Sequence, residues 1–370
     1  MEFGIGVIGA TGFIGTPYRQ EIRDSGDDVR VVALCARRQD RLERAGAEDG
    51  AELLASDWQQ VVEHPDVNLV LVLTPDALHF DPVMASAQLG KHLVCEKPLG
   101  TDVRQARTMW QAVQAAGVAH FVPYWTRYVP AFRRARELVR EGRLGKLRAF
   151  VYRWHNPRPL SMPFTWRDDA TLSSAGSIAD VGSHAYDTLR FILGEEAQRV
   201  LAHTKVVMPA KPDLGAIDLS EALSWGEEHQ SSSQPTRKGT VPDYGQVSLD
   251  YASGMVGSIT VSHASYLRKG FGPELELHGT LGSLSVDRIA GELRFADSPE
   301  PARQLETVED SGFGNRFQKH VFPALRDRIA GKESLHPGME DGWRVQIFTD
   351  AVVASAQRGG WVKLAEVADR

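Results

Sequence analysis

The first 123 residues alternate between short, continuously apolar runs and segments with helical spacing. Phe3 to Gly9, Val29 to Cys35, Asn68 to Leu73, His92 to Cys95 and His120 to Pro123 read as buried strands, apolar throughout and therefore covered on both faces. Phe13 to Arg23, His79 to Gly90 and Asp102 to Ala116 read as helices between them, with Gly90 as a C-terminal stop. Strand and helix in alternation predict a doubly wound parallel sheet. Arg127 to Glu141 reads as an arginine-rich helix. Beyond it the pattern changes. Leu147 to Trp154 alternates with period two, Ile178 to Leu193 is helical, and Val200–Val207, Gln246–Tyr251, Met255–His263, Pro273–His278 and Ser283–Asp287 read as strands. Ala252-Ser253-Gly254 and Gly279-Thr280-Leu281-Gly282 are tight turns, and strands joined so closely predict an antiparallel sheet. Gln230 to Gly239 reads as a loop tip, and a last helix runs from Met339 to Arg358. The fold class is therefore α/β plus α+β: a parallel sheet over residues 1–123, then an open, mainly antiparallel sheet domain over 124–370.

Bulk properties narrow the function. The chain has 370 residues, a net charge of −6 and 42% apolar residues. It contains no basic block, which argues against nucleic acid, and no apolar run long enough to cross a bilayer, which argues against the membrane. The strand at Phe3 leaves no room for a targeting segment, so a cytoplasmic location is expected. The two cysteines, Cys35 and Cys95, sit in buried strand-like runs and suit free thiols in a reducing compartment. No metal-ligand spacing occurs, and no metal is expected.

The chemistry begins at Gly9-Ala10-Thr11-Gly12-Phe13-Ile14-Gly15, between the first strand and the first helix. Glycine permits the sharp turn and the close approach of a pyrophosphate, and the helix N-terminus supplies free N–H groups. Gly9, Thr11, Gly12, Phe13 and Ile14 are therefore candidate dinucleotide contacts. The Gly-x-x-Gly-x-x-Gly spacing also occurs in extended short-chain dehydrogenases, but none of the eight tyrosines has a lysine four residues on, as their chemistry requires. The second strand ends Cys35-Ala36-Arg37-Arg38, without the carboxylate that holds the ribose of NAD. Arg37 and Arg38 suit a 2′-phosphate, so NADP(H) is favoured, with NAD(H) as the alternative.

Lys97 follows the strand His92–Cys95, where open parallel sheets bind ligands, and its ammonium suits a reacting oxygen. Asp180 and His184 are four residues apart on a predicted helix and share a face, with Asp187 three residues further on. His184 suits proton transfer, and Asp180 could orient it or stabilise its protonated form. Arg153, Trp154, His155, Trp166 and Arg167 precede them and offer hydrogen bonds and an aromatic wall to a polyhydroxylated ligand.

Together these residues make the chain resemble the glucose–fructose oxidoreductase / inositol dehydrogenase / rhizopine catabolism (Gfo/Idh/MocA) family. The resemblance spans nearly the whole chain. Its pieces are the glycine turn, Thr74-Pro75 with Leu78-His79, Glu96-Lys97-Pro98, Arg127 with Pro130, Asp180-x-Gly182-x-His184-x-x-Asp187, Gly279–Gly282 and Asp341-Gly342. It implies Lys97, Asp180 and His184 as the catalytic set and a cis Lys97–Pro98 peptide. It also implies Thr74, Pro75, His79 and Glu96 beside the cofactor, and Arg127 among the substrate contacts. The implied activity is hydride transfer between NAD(P) and a secondary alcohol or ketone of a sugar, glycoside, anhydrosugar or cyclitol. The alternatives are NAD-dependent glycoside hydrolysis and a non-catalytic sugar or nucleotide sensor. A homodimer or homotetramer is expected, because an open sheet would leave an apolar face to bury.

Overall fold

The structure is a computed structural model. It describes residues 2–26, 28–229, 233–310, 312–332 and 335–370. The first sheet consists of β1 (Phe3–Ile8), β2 (Val29–Cys35), β3 (Leu53–Ala55), β4 (Leu69–Val72), β5 (His92–Cys95) and β6 (His120–Phe121). All pairings are parallel, in the order β3-β2-β1-β4-β5-β6. Helices α1 (Gly15–Arg23), α2 (Gln39–Asp49), α3 (Trp58–Glu63), α4 (Phe80–Gln88) and α5 (Val103–Ala116) connect the strands. Every residue of β1 is buried, as a strand covered on both faces must be. The strand order reverses between β1 and β4, and there the sheet opens a crevice at its carboxyl ends. The structure adds β3, α2 and α3, which the apolar pattern did not indicate; three residues of strand are too few to show a period. Two predicted helix starts move to Gly15 and Pro130, where proline sits at the N-terminal turn.

The chain then forms α6 (Pro130–Arg140), β7 (Leu147–His155), α7 (Ser183–Leu193) and β8 (Ala197–Lys205). Next come β9 (Lys211–Pro212), α8 (Leu219–Glu228) and β10 (Thr236–Arg237), a short excursion that carries the predicted loop tip, of which 230–232 lie outside the described residues. The large sheet is completed by β11 (Tyr244–Tyr251), β12 (Val256–Ser262), β13 (Leu275–Gly279), β14 (Ser283–Asp287), β15 (Glu292–Ala296) and β16 (Arg303–Thr307). Helices α9 (Phe322–Ile329) and α10 (Met339–Arg358), strand β17 (Val362–Lys363) and helix α11 (Leu364–Ala368) end the chain. The second sheet has nine strands in the order β16-β15-β14-β13-β7-β12-β11-β8-β17. It is mostly antiparallel, but β7 enters between β12 and β13 and runs parallel to β12.

Register shows what each face carries. Val200, Leu249, Gly257, Phe150, Leu277, Leu284 and Phe295 form one row across the sheet and face the helices. The matching row on the other face is Leu201, Ser248, Ser258, Val151, Glu276, Ser285 and Arg294. The open face is thus largely polar, and the expected apolar face is corrected. Period-two alternation with serine and threonine outward satisfies a sheet that meets water or a polar partner.

A buried ion network ties the segment after β6 to α7 and α10. The Arg127 guanidinium donates to both Asp187 oxygens, at 2.7 and 2.5 Å, and to Asp341 at 2.7 Å. Arg190 reaches the same two carboxylates. Residues 317–329 also return to the first sheet, where Phe322 stacks on Phe3 and Phe317 meets Tyr18 edge-on. A division at 123/124 remains our proposed domain boundary, with this C-terminal segment packed back across it.

Candidate active site

The glycine turn is shaped by close approach. Gly9 has φ +88°, and a Cβ there would lie 2.8 Å from the Leu73 carbonyl oxygen. A Cβ on Gly15 would lie 2.3 Å from the Gly9 oxygen, so neither position admits a side chain. Gly12 differs. Its Cβ would meet only the Gly9 oxygen, at 3.4 Å, and otherwise point into open space. Protein packing therefore does not demand glycine at 12, whereas a pyrophosphate lying against the turn would. Thr11 to Ile14 lead into α1, whose first turn has no side-chain cap and no acidic residue. That leaves N–H groups and a positive dipole end for phosphate oxygens, and the residues present fit a dinucleotide.

At the ribose turn, Arg37 is exposed and forms no ion pair among the described residues. Arg38 is already engaged: its Nη1 donates to both Glu221 oxygens, at 3.0 and 3.2 Å. Along the crevice, the buried His79 ring bridges the carbonyls of Thr74 (2.8 Å) and Pro98 (3.1 Å), fixing the loops after β4 and β5 against each other. Pro75 opens the short turn Asp76–Leu78. Glu96 accepts from the Tyr18 hydroxyl at 2.9 Å and from its neighbour's backbone Lys97 N–H at 3.1 Å. Trp125 in turn donates to Tyr18 at 2.8 Å. The Lys97–Pro98 peptide is cis.

The Lys97 ammonium does not pair with Glu96. It crosses to the turn before α7 and donates to Asp180 Oδ1 at 2.7 Å and to the Asp180 carbonyl at 3.2 Å. Asp180 also meets Arg167 Nη1 at 3.0 Å, Arg158 Nη2 at 3.3 Å and His263 Nε2 at 3.0 Å. Burial alone would raise its carboxyl; Arg167, Lys97 and the His263 hydrogen bond outweigh that and hold it well below the usual carboxylate range. Burial, helped by Arg158, pushes His263 down to about 4, so a neutral ring donates its Nε2–H to Asp180.

Asp180 and His184 do not share the regular helix expected for them. Ile178–Gly182 forms a π-helical turn that runs into α7, and the wider turn removes the i, i+4 alignment. No hydrogen bond joins the two side chains among the described residues, so Asp180 does not orient His184 directly. The His184 ring lies between Trp154 (5.7 Å, tilted) and Tyr124 (5.8 Å, edge-on). Its Nδ1 is buried without a partner. Burial first, then the Lys97 charge, depress its pKa well below 6.5, so the imidazole is neutral near pH 7 and able to accept a proton.

Lys97, Asp180, His184 and Arg167 thus converge, with Trp166 beside them under the Arg167 guanidinium at 4.5 Å. Three predicted substrate contacts do not join them. Arg127 is consumed by the buried network described above. Arg153 pairs with Glu276, and strand alternation places Arg153 and His155 on the face opposite Trp154. Arg158, His263, Tyr18 and Tyr124 were not foreseen. Arg158 had one sequence signal, its place between Pro157 and Pro159; His263 ends a predicted strand beside the end of β7.

Comparison with known proteins agrees with this architecture. Residues 3–124 match the model of an oxidoreductase family with an NAD-binding Rossmann fold, and residues 132–285 match the GFO/IDH/MocA C-terminal domain. The chain belongs to the GFO/IDH/MocA oxidoreductase family. It is 27% identical to levoglucosan dehydrogenase from Pseudarthrobacter phenanthrenivorans over 86% of this chain and 85% of that protein. It is also 27% identical to myo-inositol 2-dehydrogenase from Thermotoga maritima, over 98% and 99% of the two chains. The structure of a levoglucosan dehydrogenase in complex with NADH and L-sorbose superposes with a TM-score of 0.82 at 23% identity, covering 99% of this chain and 100% of that one.

The open space at Gly12 makes the cofactor site testable. Gly12→Ala is expected to keep its thermal midpoint within a few degrees of the wild type, while NAD(P)H affinity falls at least about tenfold, as a methyl group displaces the pyrophosphate from the turn. Unchanged affinity, measured by nucleotide fluorescence titration, would place the dinucleotide elsewhere.

Proposed function

We propose that the protein transfers a hydride between a nicotinamide dinucleotide and a secondary alcohol or ketone carbon of a sugar, glycoside, anhydrosugar or cyclitol. The observation that carries this reading is a neutral His184 beside a Lys97 ammonium pinned to Asp180, at the end of a crevice built for a dinucleotide. The bound nicotinamide supplies the hydride acceptor or donor. In the oxidative direction His184 takes the hydroxyl proton as hydride leaves the same carbon. Lys97 donates a hydrogen bond to the reacting oxygen and stabilises the negative charge that develops there. Asp180 holds the ammonium in place, and Arg158, Arg167 and His263 hold Asp180. Trp154 and Trp166 offer flat apolar walls of the kind that carbohydrate rings meet. The relatives reported above, named levoglucosan dehydrogenase and myo-inositol 2-dehydrogenase, support a carbohydrate or cyclitol substrate. No feature of the site favours the hydrolytic or sensor reading.

His184→Ala is expected to lower turnover at least about a hundredfold, the scale of a lost general acid/base. Nucleotide affinity should change little, and Lys97→Ala should lose mainly in the chemical step. The pH dependence follows from the depressed imidazole. A base held neutral by burial and by Lys97 keeps its proton-accepting form as pH falls, so wild-type oxidation should decline only below 6.5. A limb centred above 6.5, or near-normal turnover in His184→Ala, would remove His184 from this role.

For the cofactor we favour NADP(H), supported by Ala36 just after β2 and a guanidinium of Arg37 that forms no ion pair among the described residues. Titration with NADPH and NADH tests it, and tighter binding of NADH by the wild type would refute it. Two buried free thiols suit a reducing, cytoplasmic compartment. No helix among the described residues is long and apolar enough to cross a membrane. We further propose a homodimer or homotetramer through the polar open face of the second sheet, a broad surface suited to a self-complementary interface. Light scattering at micromolar concentration should give a multiple of the 40.8 kDa subunit mass, and a single-subunit mass would refute it.

A further inference from the structure

The adenosine end of the crevice is covered by the second unit, and that contact is made by charges. Helix α8 starts with a reciprocal cap: the Asp218 carboxylate accepts from the Glu221 N–H at 2.9 Å, and the Glu221 carboxylate accepts from the Asp218 N–H at 3.2 Å. The same Glu221 carboxylate accepts from Arg38 through both oxygens. Arg41, one turn into α2, pairs with Asp218 and Glu221. The cap holds the Glu221 carboxylate in one place. The helix behind it is anchored too: Leu219 and Ala222 pack on Met162, and the Ser161 hydroxyl donates to the Gly226 carbonyl at 2.7 Å. Glu221 is therefore a fixed negative charge on the arginine next to the ribose turn.

We propose that Glu221 is a cofactor-discriminating residue, supplied from the second unit to a ribose turn whose own strand carries no carboxylate. This rests on the dinucleotide reading above. A 2′-phosphate and Glu221 cannot both hold the Arg38 fork without placing two anions side by side. NAD(H) leaves the Arg38–Glu221 pair intact, with α8 docked against α2. NADP(H) must take Arg38 from Glu221, so Glu221 limits the preference that Arg37 and Arg38 would otherwise confer. Arg37, which pairs with no carboxylate among the described residues, meets the phosphate without this contest. The selectivity of the turn is thus set by two elements more than 180 residues apart in sequence.

Fluorescence titration of the full-length protein with NADPH and NADH provides the test. Glu221→Gln retains a side chain that can complete the cap and removes the charge. It should tighten NADPH binding roughly tenfold, the scale of one charge-assisted contact, and change NADH binding by less than about threefold. In an Arg38→Ala background the same change should have little selective effect, because the contest runs through that guanidinium. Asp218→Asn removes an equal charge from the same helix end without touching Arg38, and should leave the NADPH/NADH ratio near the wild-type value. A uniform shift of both nucleotides in Glu221→Gln, or no shift, overturns the proposal while leaving the dinucleotide site in place. An equal gain in Asp218→Asn would show a general charge effect and overturn it as well. A wild-type protein that binds neither nucleotide sinks this inference together with the dinucleotide reading, and is told apart from the other outcomes by its own titration.

Discussion

The arrangement of the site depends on one ion pair, the Lys97 ammonium on the Asp180 carboxylate. A buried charge is costly to leave alone, and a carboxylate with little access to water must be surrounded by donors. Asp180 solves this by collecting Lys97 from the first sheet, Arg167 and Arg158 from the segment after β7, and His263 from the end of β12. Three separate stretches of chain are thereby fixed around one group. Lys97, which meets the reacting oxygen in the proposed mechanism, is held where the crevice of the parallel sheet ends. Its positive charge adds to burial in keeping His184 neutral, so in the proposed mechanism the same residue serves the reacting oxygen and tunes the base.

The crevice is bridged along its length and not only at the reacting end. Lys97 and Asp180 close the end at which the proposed reaction takes place. Asp76, in the turn after β4, accepts from the Ser174 backbone at 3.1 Å near the middle. Arg38 and Arg41 meet Asp218 and Glu221 at the adenosine end. The Arg38–Glu221 contact is exposed and can be exchanged for a contact to a ligand, whereas the Arg127–Asp187–Arg190–Asp341 network is largely buried. The structure therefore separates charges that fix the segment after β6 to α7 and α10 from exposed charges along the proposed cofactor crevice.

Much of the fold was legible in the sequence because its signal is local. Six buried residues in β1, glycine at 9 and 15, and helical spacing after each strand can produce little else than a parallel sheet with a phosphate turn. Strict alternation in Leu147–Trp154 and Tyr244–Tyr251 likewise fixed which side chains face the helices. Lys97, Asp180 and His184 stood out because reactive side chains sat at the ends of such elements. The second sheet's parallel pairing of β7 with β12 was hidden, since pairing partners are chosen by packing of distant segments.

What only the tertiary structure decided is which charge meets which. Arg127, Arg153 and Arg167 look alike as residues in polar segments. Burial against Asp187 and Asp341 spends the first on fixing α7 and α10 to the segment after β6, strand alternation turns the second to the open face, and the third reaches Asp180. Asp180 and His184 are four residues apart, yet a π-helical turn directs them to different partners. Arg38 reads as a free phosphate ligand until α8 brings Glu221 to it. The sequence by itself determined the elements, the glycine turn and the reactive side chains, because backbone preference and apolar periodicity act over a few residues. The pairing of charges was left to the tertiary structure, because desolvation and Coulomb attraction depend on neighbours that the chain supplies from far away.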